Sequence, residues 1–202
     1  ALQTIVTSTQ GKTAGVVIGH ARENPFAGKP FLNSVSLIDN GQRLFTYDKQ
    51  LLPTYGVFDE ARHFEPGNTP GTFMWRGQRL GFLVCEDAWE NTEAPLYQRD
   101  PVALLAANKL DVVISINASP YNIFKHHPRR ELVAEIAERC QAPVIYVNQV
   151  GGIDELVFDG NSLIFDSKGN CLLDAGRFKE CINLTDLKEN RAVQIPLTPH
   201  YH

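Results

Sequence analysis

The sequence lacks the features that mark several large classes of protein. No apolar run approaches the roughly 18 residues that a membrane helix needs. The first ten residues lack the charged and apolar regions of a secretory signal peptide. With 19 basic and 23 acidic residues, the 202-residue chain has a net charge of −4 and no long basic run. We therefore predict neither a membrane protein nor a nucleic-acid-binding protein.

Cysteine is scarce and its spacing excludes two further classes. The chain has four cysteines: Cys85, Cys140, Cys171 and Cys181. None belongs to a C-x-x-C pair, which disfavours a zinc ribbon. His126 and His127 are adjacent, so on a helix they cannot share the face that a metal pair needs. Without a secretory signal, free thiols in a reducing compartment are the default, and we predict a cytoplasmic protein without a metal site.

The remaining composition is that of an ordinary globular domain, with 43% hydrophobic and 21% charged residues. Apolar runs predict strands at residues 16–20, 31–38, 43–49, 72–75, 80–85, 111–117, 143–149, 162–165 and 171–174. Asn40-Gly41 separates two of these runs and predicts a tight hairpin. Helices are predicted after Asp100-Pro101 and at residues 128–141, where apolar positions follow a helical period.

The predicted elements are hairpins next to strand–helix–strand units, which indicates a mixed sheet layered against helices. After Phe178 the pattern weakens. We therefore assign residues 1–190 to one domain and interpret residues 191–202, which contain two prolines, as a tail or linker.

Cys85 stands at the end of a predicted strand and is followed at once by Glu86 and Asp87. A thiol needs a nearby cation or base to act as a nucleophile, and carboxylates pointing at it would raise its pKa. Lys49 also ends a predicted strand, and Glu60 follows it by eleven residues. Read singly, each fits a structural or solvent-exposed role as well as a catalytic one.

Taken together, the three positions resemble the Glu–Lys–Cys triad of the nitrilase superfamily of carbon–nitrogen hydrolases. Four longer motifs narrow the resemblance to the glutaminase domain of bacterial glutamine-dependent NAD synthetases. They are LPTYGVFDEARHFEPG at residues 52–67, VCEDAW at 84–89, NASPYNIFKHHPRRE at 117–131 and NQVGGIDELVFDG at 148–160. The motifs occur in the same order as in that family and cover nearly the whole chain.

The resemblance implies an α/β fold, the αββα four-layer sandwich, and a further helix at residues 1–10. The general base of the family is a glutamate at the end of the first strand, and no residue here matches it. Glu23 is the first acidic residue and follows a later strand, so it is a poor substitute. We expect the first strand, its helix and the base to lie upstream of Ala1, and the polypeptide alone to be inactive.

The resemblance also implies roles for individual residues. Cys85 is expected to attack the glutamine amide and form a thioester. Lys49 and the backbone N–H of Glu86 are expected to stabilise the oxyanion, while Glu60 holds Lys49 and the attacking water. The residues expected to line the glutamine pocket are Tyr55, Ser119 and Lys125.

The same family pairs this domain with a C-terminal synthetase domain that uses ATP and Mg, and the enzyme is a homo-oligomer. The glutaminase itself is expected to need no cofactor. No SGGxDS phosphate loop occurs in this sequence, so the synthetase domain is absent from it. Two alternatives remain: a free-standing amidase or carbamoylase, and a non-catalytic fragment that retains the fold.

Overall fold

The computed structural model describes residues 1–89 and 96–195. Its helices are α1 (Leu2–Ser8), α2 (Pro101–Ala106) and α3 (His126–Cys140). Its strands are β1 (Val16–Glu23), β2 (Phe31–Asp39), β3 (Gln42–Asp48), β4 (Thr72–Trp75), β5 (Gln78–Val84), β6 (Val112–Asn117), β7 (Val144–Asn148), β8 (Val150–Ile153), β9 (Leu156–Asp159), β10 (Leu163–Phe165), β11 (Cys171–Asp174), β12 (Ile182–Asp186) and β13 (Arg191–Ile195). All predicted strands and helices are present, with shifts of a few residues at their ends.

The first sheet has three antiparallel strands in the order β1-β2-β3. The β2–β3 turn confirms the predicted hairpin: Asn40 and Gly41 have φ angles of 46° and 76°. Positive φ at both central residues defines a type I′ turn, which Asn-Gly adopts at little steric cost. Helix α1 is tied to this turn, because Thr9 Oγ1 accepts a 2.9 Å hydrogen bond from the Gly41 N–H.

The second sheet has six strands in the order β11-β10-β7-β6-β5-β4. Strands β5, β6 and β7 run parallel, while β4, β10 and β11 pair antiparallel with their neighbours. The carboxyl ends of the three parallel strands therefore meet at one edge, where strand-end side chains come together. This mixed sheet is the one that the sequence pattern predicts.

Two buried cores hold the layers together. Helices α2 and α3 pack on one face of the six-stranded sheet through Leu105, Val133 and Ile136. Its other face packs on the three-stranded sheet through residues of both sheets: Val35, Leu37, Tyr47, Leu80, Phe82 and Val84. Alternate residues of β5 serve the two cores, as the two-residue period of a strand requires. The sandwich of sheets with helices outside confirms the α/β class.

Two short ribbons were not predicted from the sequence. Strands β8 and β9 form one hairpin, and β12 and β13 form another. Residues 191–195, which lie in the predicted tail, form strand β13 and pair with β12. Residues 196–202 lie outside the described residues. In the described ranges, no helix is long and apolar enough to cross a membrane.

Candidate active site

A cavity of about 780 Å³ opens where β5, β6 and β7 end and where β3 leaves the other sheet. Cys85, Lys49 and Glu60 all line it, together with the strand-end residues Asn117 and Asn148. The three residues selected from the sequence therefore line the same cavity. Asp59 and Glu60 are the only acidic residues among the described lining, and Asp59 is exposed and paired with Arg62.

Cys85 directly follows β5 and begins a 3₁₀ turn that extends to Ala88. Its φ angle is +47°, a left-handed conformation that costs a non-glycine residue energy and often occurs at functional sites. Burial raises the pKa of the Cys85 thiol, while the charges of Lys49 and Lys125 lower it. The lysines therefore act in the expected direction, but burial outweighs them, and the thiol needs a base to release its proton.

Lys49 and Glu60 form a buried ion pair between the end of β3 and the turn at Glu60–Arg62. Their side chains are only 3% and 12% exposed. The second carboxylate oxygen of Glu60 accepts a hydrogen bond from the Asn33 side-chain amide. Two donors thus fix the Glu60 carboxylate, which in turn fixes the Lys49 ammonium at the cavity wall.

Gly67 allows this segment to lie close to β3. Its N–H donates a 2.7 Å hydrogen bond to the Lys49 carbonyl. A Cβ atom at this position would lie 2.1 Å from the Asp48 carbonyl oxygen, so no other residue fits without a backbone shift. The glycine that ends the motif at residues 52–67 therefore supports the position of Lys49.

The Glu86 side chain has surroundings that the sequence did not predict. Glu86 is buried, and one carboxylate oxygen accepts hydrogen bonds from Tyr55 Oη at 2.7 Å and Tyr97 Oη at 3.1 Å. Tyr55 is half exposed and packs edge-on against Phe58. Its hydrogen bond to Glu86 and its burial raise the pKa of the Tyr55 hydroxyl, burial being the larger cause. The family resemblance assigns a role only to the backbone N–H of Glu86, so these side-chain contacts are new.

Ser119 is buried just beyond the end of β6 and is held by Asn148 from β7. The Ser119 N–H donates to Asn148 Oδ1 at 2.9 Å, and Asn148 Nδ2 donates to the Gly160 carbonyl at 2.7 Å. Asn148 therefore ties three loops together at the edge of the cavity. A polar residue at the end of a buried strand, as in the run PVIYVNQ, was the signal that could have identified it.

Lys125 immediately precedes α3, and its ammonium lies 4.6 Å from the centroid of the Trp89 ring. Burial lowers the pKa of Lys125, whereas the nearby Cys85 and Glu86 raise it. Tyr55, Ser119 and Lys125 are not among the residues that line the main cavity. Instead, Tyr55 donates a hydrogen bond to Glu86, and Lys125 lies close enough to Cys85 and Glu86 for their charges to raise its pKa.

Two packed sheets that bring a cysteine, a lysine and a glutamate to one cavity have the arrangement of a cysteine-dependent hydrolase. The family model described as "Carbon-nitrogen hydrolase" matches residues 1–196, and the chain belongs to this family. The predicted resemblance to the nitrilase superfamily is thereby confirmed.

Relatives of known name agree with this assignment. The chain is 38% identical to the glutamine-dependent NAD(+) synthetase of Synechocystis sp. over 174 residues, 84% of this chain and 31% of that protein. It is 35% identical to that of Xylella fastidiosa (strain Temecula1) over 199 residues, 98% of this chain and 34% of that protein. The chain thus spans about a third of the length of the curated relatives it matches.

Solved structures give the same result. The glutamine-dependent NAD+ synthetase of Acinetobacter baumannii, in complex with ADP, aligns with a TM-score of 0.80 and 31% identity, covering 100% of this chain and 37% of that one. An amidase from Nesterenkonia sp. aligns with a TM-score of 0.67 and 26% identity, covering 87% of this chain and 60% of that one. The fold is therefore that of the nitrilase superfamily.

Proposed function

We propose that this chain is the glutaminase part of a glutamine-dependent NAD synthetase and supplies the nucleophile that hydrolyses the side-chain amide of glutamine. The observation that carries the proposal is that two pairs of oppositely charged side chains lie near Cys85. Lys49 and Glu60 lie on one side, while Lys125 and the Glu86 carboxylate influence each other on another. The first pair suits amide cleavage, and the second suits a zwitterionic substrate.

Cys85 Sγ attacks the carboxamide carbon in the first step, forming a tetrahedral intermediate. The C–N bond then breaks, the thiol proton passes through a base to the leaving nitrogen, and ammonia departs from a glutamyl thioester. Water attacks the thioester carbon in the second step, the C–S bond breaks, and glutamate and the Cys85 thiol are restored. We propose that this base is the family's general-base glutamate, which no residue of this sequence matches.

Lys49 and the Glu86 N–H stabilise the oxyanion in this mechanism. The ammonium of Lys49 is a fixed point charge at the cavity wall. Glu86 is the second residue of the 3₁₀ turn, where backbone N–H groups have no partner within the turn itself. Such donors act most strongly where water is excluded. Glu60 keeps Lys49 in place and orients the attacking water.

We propose that recognition of the two charged groups of the amino acid selects glutamine over simple amides. The Glu86 carboxylate, already fixed by two tyrosines, accepts the α-ammonium group. Lys125 pairs with the α-carboxylate. The Ser119 hydroxyl is buried without a hydrogen-bond partner among the described residues, although the Tyr146 hydroxyl is near, and we propose that it contacts the bound substrate.

The ammonia is consumed, in this proposal, by an ATP- and Mg-dependent synthetase domain that amidates deamido-NAD in a cytoplasmic homo-oligomer. The present residues do not fit ATP or Mg. The sequence has no SGGxDS loop, and the described ranges contain no cluster of three His, Cys, Asp or Glu side chains able to hold a metal. No step of the glutaminase reaction is therefore assigned to either.

The test is ammonia release from a panel of glutamine, N-carbamoyl amino acids and simple nitriles. In a protein that also contains the proposed base, we expect turnover of glutamine but not of the other compounds. This turnover is abolished by Cys85→Ala and unchanged by Cys171→Ala, which removes an exposed thiol. Turnover of the carbamoyl compounds or nitriles instead would favour a free-standing amidase or carbamoylase. Glutamine turnover that survives Cys85→Ala would refute the proposal.

A further inference from the structure

Asp87 is a buried carboxylate with no assigned role, two residues after the nucleophile. It is fully buried, with 0% of its surface exposed. Its first carboxylate oxygen accepts hydrogen bonds from the Gln50 and Leu51 N–H groups, both at 2.9 Å. Its second accepts from Tyr47 Oη at 2.9 Å and from the Val84 N–H at 3.1 Å. Four donors thus surround one buried charge.

Three of these donors lie within two residues of Lys49 or Cys85 in the sequence. Gln50 and Leu51 directly follow Lys49 at the end of β3, and Val84 directly precedes Cys85 at the end of β5. The two strands belong to different sheets, so no ladder of backbone hydrogen bonds sets the distance between their ends. The Asp87 carboxylate is a direct polar link across this gap.

We propose that Asp87 is a positioning residue that holds the Lys49 ammonium beside the Cys85 thiol by fixing the ends of β3 and β5 to one carboxylate. The inference rests on the roles proposed above for Lys49 and Cys85. Hydrogen bonds to a buried charged acceptor are about twice as strong as neutral ones, and they hold a fixed geometry. A displacement of 1 Å at a reacting group can reduce the rate about 100-fold.

The electrostatics of Asp87 agree with this role. Burial raises the pKa of Asp87 to about 6, against the opposing effects of the Leu51 and Val84 N–H groups, the Tyr47 hydroxyl and the Lys49 charge. The carboxylate is therefore ionised at neutral pH and accepts from all four donors. Below its pKa one oxygen carries a proton that must face another donor, which weakens the link.

The experiment measures the alkylation of Cys85 by iodoacetamide against pH, with mass spectrometry to identify the modified thiol. This readout needs no glutamine turnover, so it is independent of the proposed function, which Cys85→Ala tests separately. In Asp87→Asn, the side-chain NH₂ group replaces one carboxylate oxygen and faces two hydrogen-bond donors, so the hydrogen bonds on that side are lost. Lys49 then moves away from the thiol, and we expect the alkylation midpoint to shift up by about one pH unit, a roughly tenfold slower reaction at neutral pH.

A double-mutant cycle tests whether Asp87 acts through Lys49. In a Lys49→Met background, Asp87→Asn is expected to produce no upward shift. The control is Asp39→Asn, which removes a carboxylate bound to Trp75 and Arg76 away from the cavity and leaves the midpoint unchanged. Where glutamine turnover is measured, kcat falls while KM stays the same.

Each outcome decides the proposal. An unchanged midpoint in Asp87→Asn overturns it, and so does an upward shift that persists without Lys49. A downward shift also overturns it, because the loss of the Asp87 charge or local unfolding would then outweigh any displacement of Lys49. If Asp87→Asn does not fold, Tyr47→Phe removes one donor and keeps the charge. An upward shift there supports the link, and an unchanged midpoint refutes it.

Discussion

Lys49 illustrates at the scale of a single residue how a charge is kept in a mostly buried place. An ammonium removed from water is costly unless it is paired and hydrogen-bonded. Glu60 supplies the pair, and Asn33 fixes Glu60 in turn. Lys49 follows strand β3 and Glu60 begins a 3₁₀ turn, and the two residues are only eleven positions apart in the sequence. Its value lies in fixing a charge at the cavity, because a buried ion pair contributes little net stability.

Glu60→Gln removes the charge that holds Lys49 but keeps the side-chain length. In a protein that also contains the proposed base, we expect glutamine turnover to fall by about 100- to 1,000-fold, the usual effect of losing an oxyanion-stabilising group, with a smaller change in KM. The matched control is Asp59→Asn, which alters an exposed carboxylate one residue earlier and leaves turnover unchanged. Equal kcat values for Glu60→Gln and the unmodified protein would show that Lys49 needs no partner.

The pKa of Cys85 leads to a second prediction at this scale. Burial raises it above its ordinary value, so the thiol stays protonated as the pH rises past the point where a free thiol ionises. Alkylation by iodoacetamide is expected to reach half its maximum at a higher pH for Cys85 than for N-acetylcysteine. Lys49→Met removes a stabilising cation and moves the midpoint higher still. A midpoint below that of the free thiol contradicts this prediction.

The individual site residues were predictable to different degrees. Lys49, Glu60 and Cys85 carry reactive groups at strand ends or in a characteristic motif, so the sequence identified them. Asp87 accepts hydrogen bonds from backbone N–H groups that are distant in sequence, such as that of Gln50. Asn148 likewise accepts a hydrogen bond from the Ser119 N–H. Such partners are visible only once the strands are packed, because no local pattern records which loop a buried amide or carboxylate faces.

At the scale of secondary structure, the strands differ in how easily they can be predicted from the sequence. Strands β6 and β7 are nearly continuous apolar runs, which makes them easy to identify. Strands β12 and β13 have the opposite character. Their outward residues Ile182, Leu184, Val193 and Ile195 are exposed. Without a buried face to set the alternation, β12 and β13 show no recognisable pattern, while the β8 sequence VGGI is weakened as a strand by its two glycines.

Helix α3 is joined to the loop region of the site by a buried ion pair. Arg129 is 1% exposed and forms a two-pronged interaction with the Asp159 carboxylate at the end of β9. Its guanidinium also donates to the Gly160 carbonyl at 3.3 Å, the same oxygen that Asn148 contacts. The position of α3, and of Lys125 before it, therefore depends on this pair.

Arg129→Met is expected to lower the free energy of unfolding by about 3–5 kcal/mol, because it leaves the Asp159 carboxylate buried without its partner. The comparison is Arg139→Met on the same helix, whose ion pair with Asp100 is about a quarter exposed and contributes at most about 1 kcal/mol. Urea unfolding measures both. Similar losses for the two variants would mean that burial does not set the strength of these pairs.

For the whole molecule, the site is a property of the packed layers. Lys49 comes from the three-stranded sheet, Cys85 and Ser119 from the six-stranded sheet, and Lys125 from the start of α3. No single layer contains a complete binding site. A ligand that contacts all of them therefore binds only the folded state and stabilises it by mass action.

Glutamine binding to the Cys85→Ala variant, which cannot turn it over, tests this arrangement. At a concentration of 100 times Kd, the folded state gains about 2.7 kcal/mol, a rise in Tm of roughly 5–10 °C for a chain of this size. Butyramide has the same carboxamide without the charged end, and we expect it to produce no comparable rise. Lys125→Met in the Cys85→Ala background should weaken glutamine at least about tenfold, because the α-carboxylate loses its cation. If butyramide raises Tm as much as glutamine does, or if Lys125→Met leaves the glutamine effect intact, the charges around Glu86 and Lys125 do not select an amino acid.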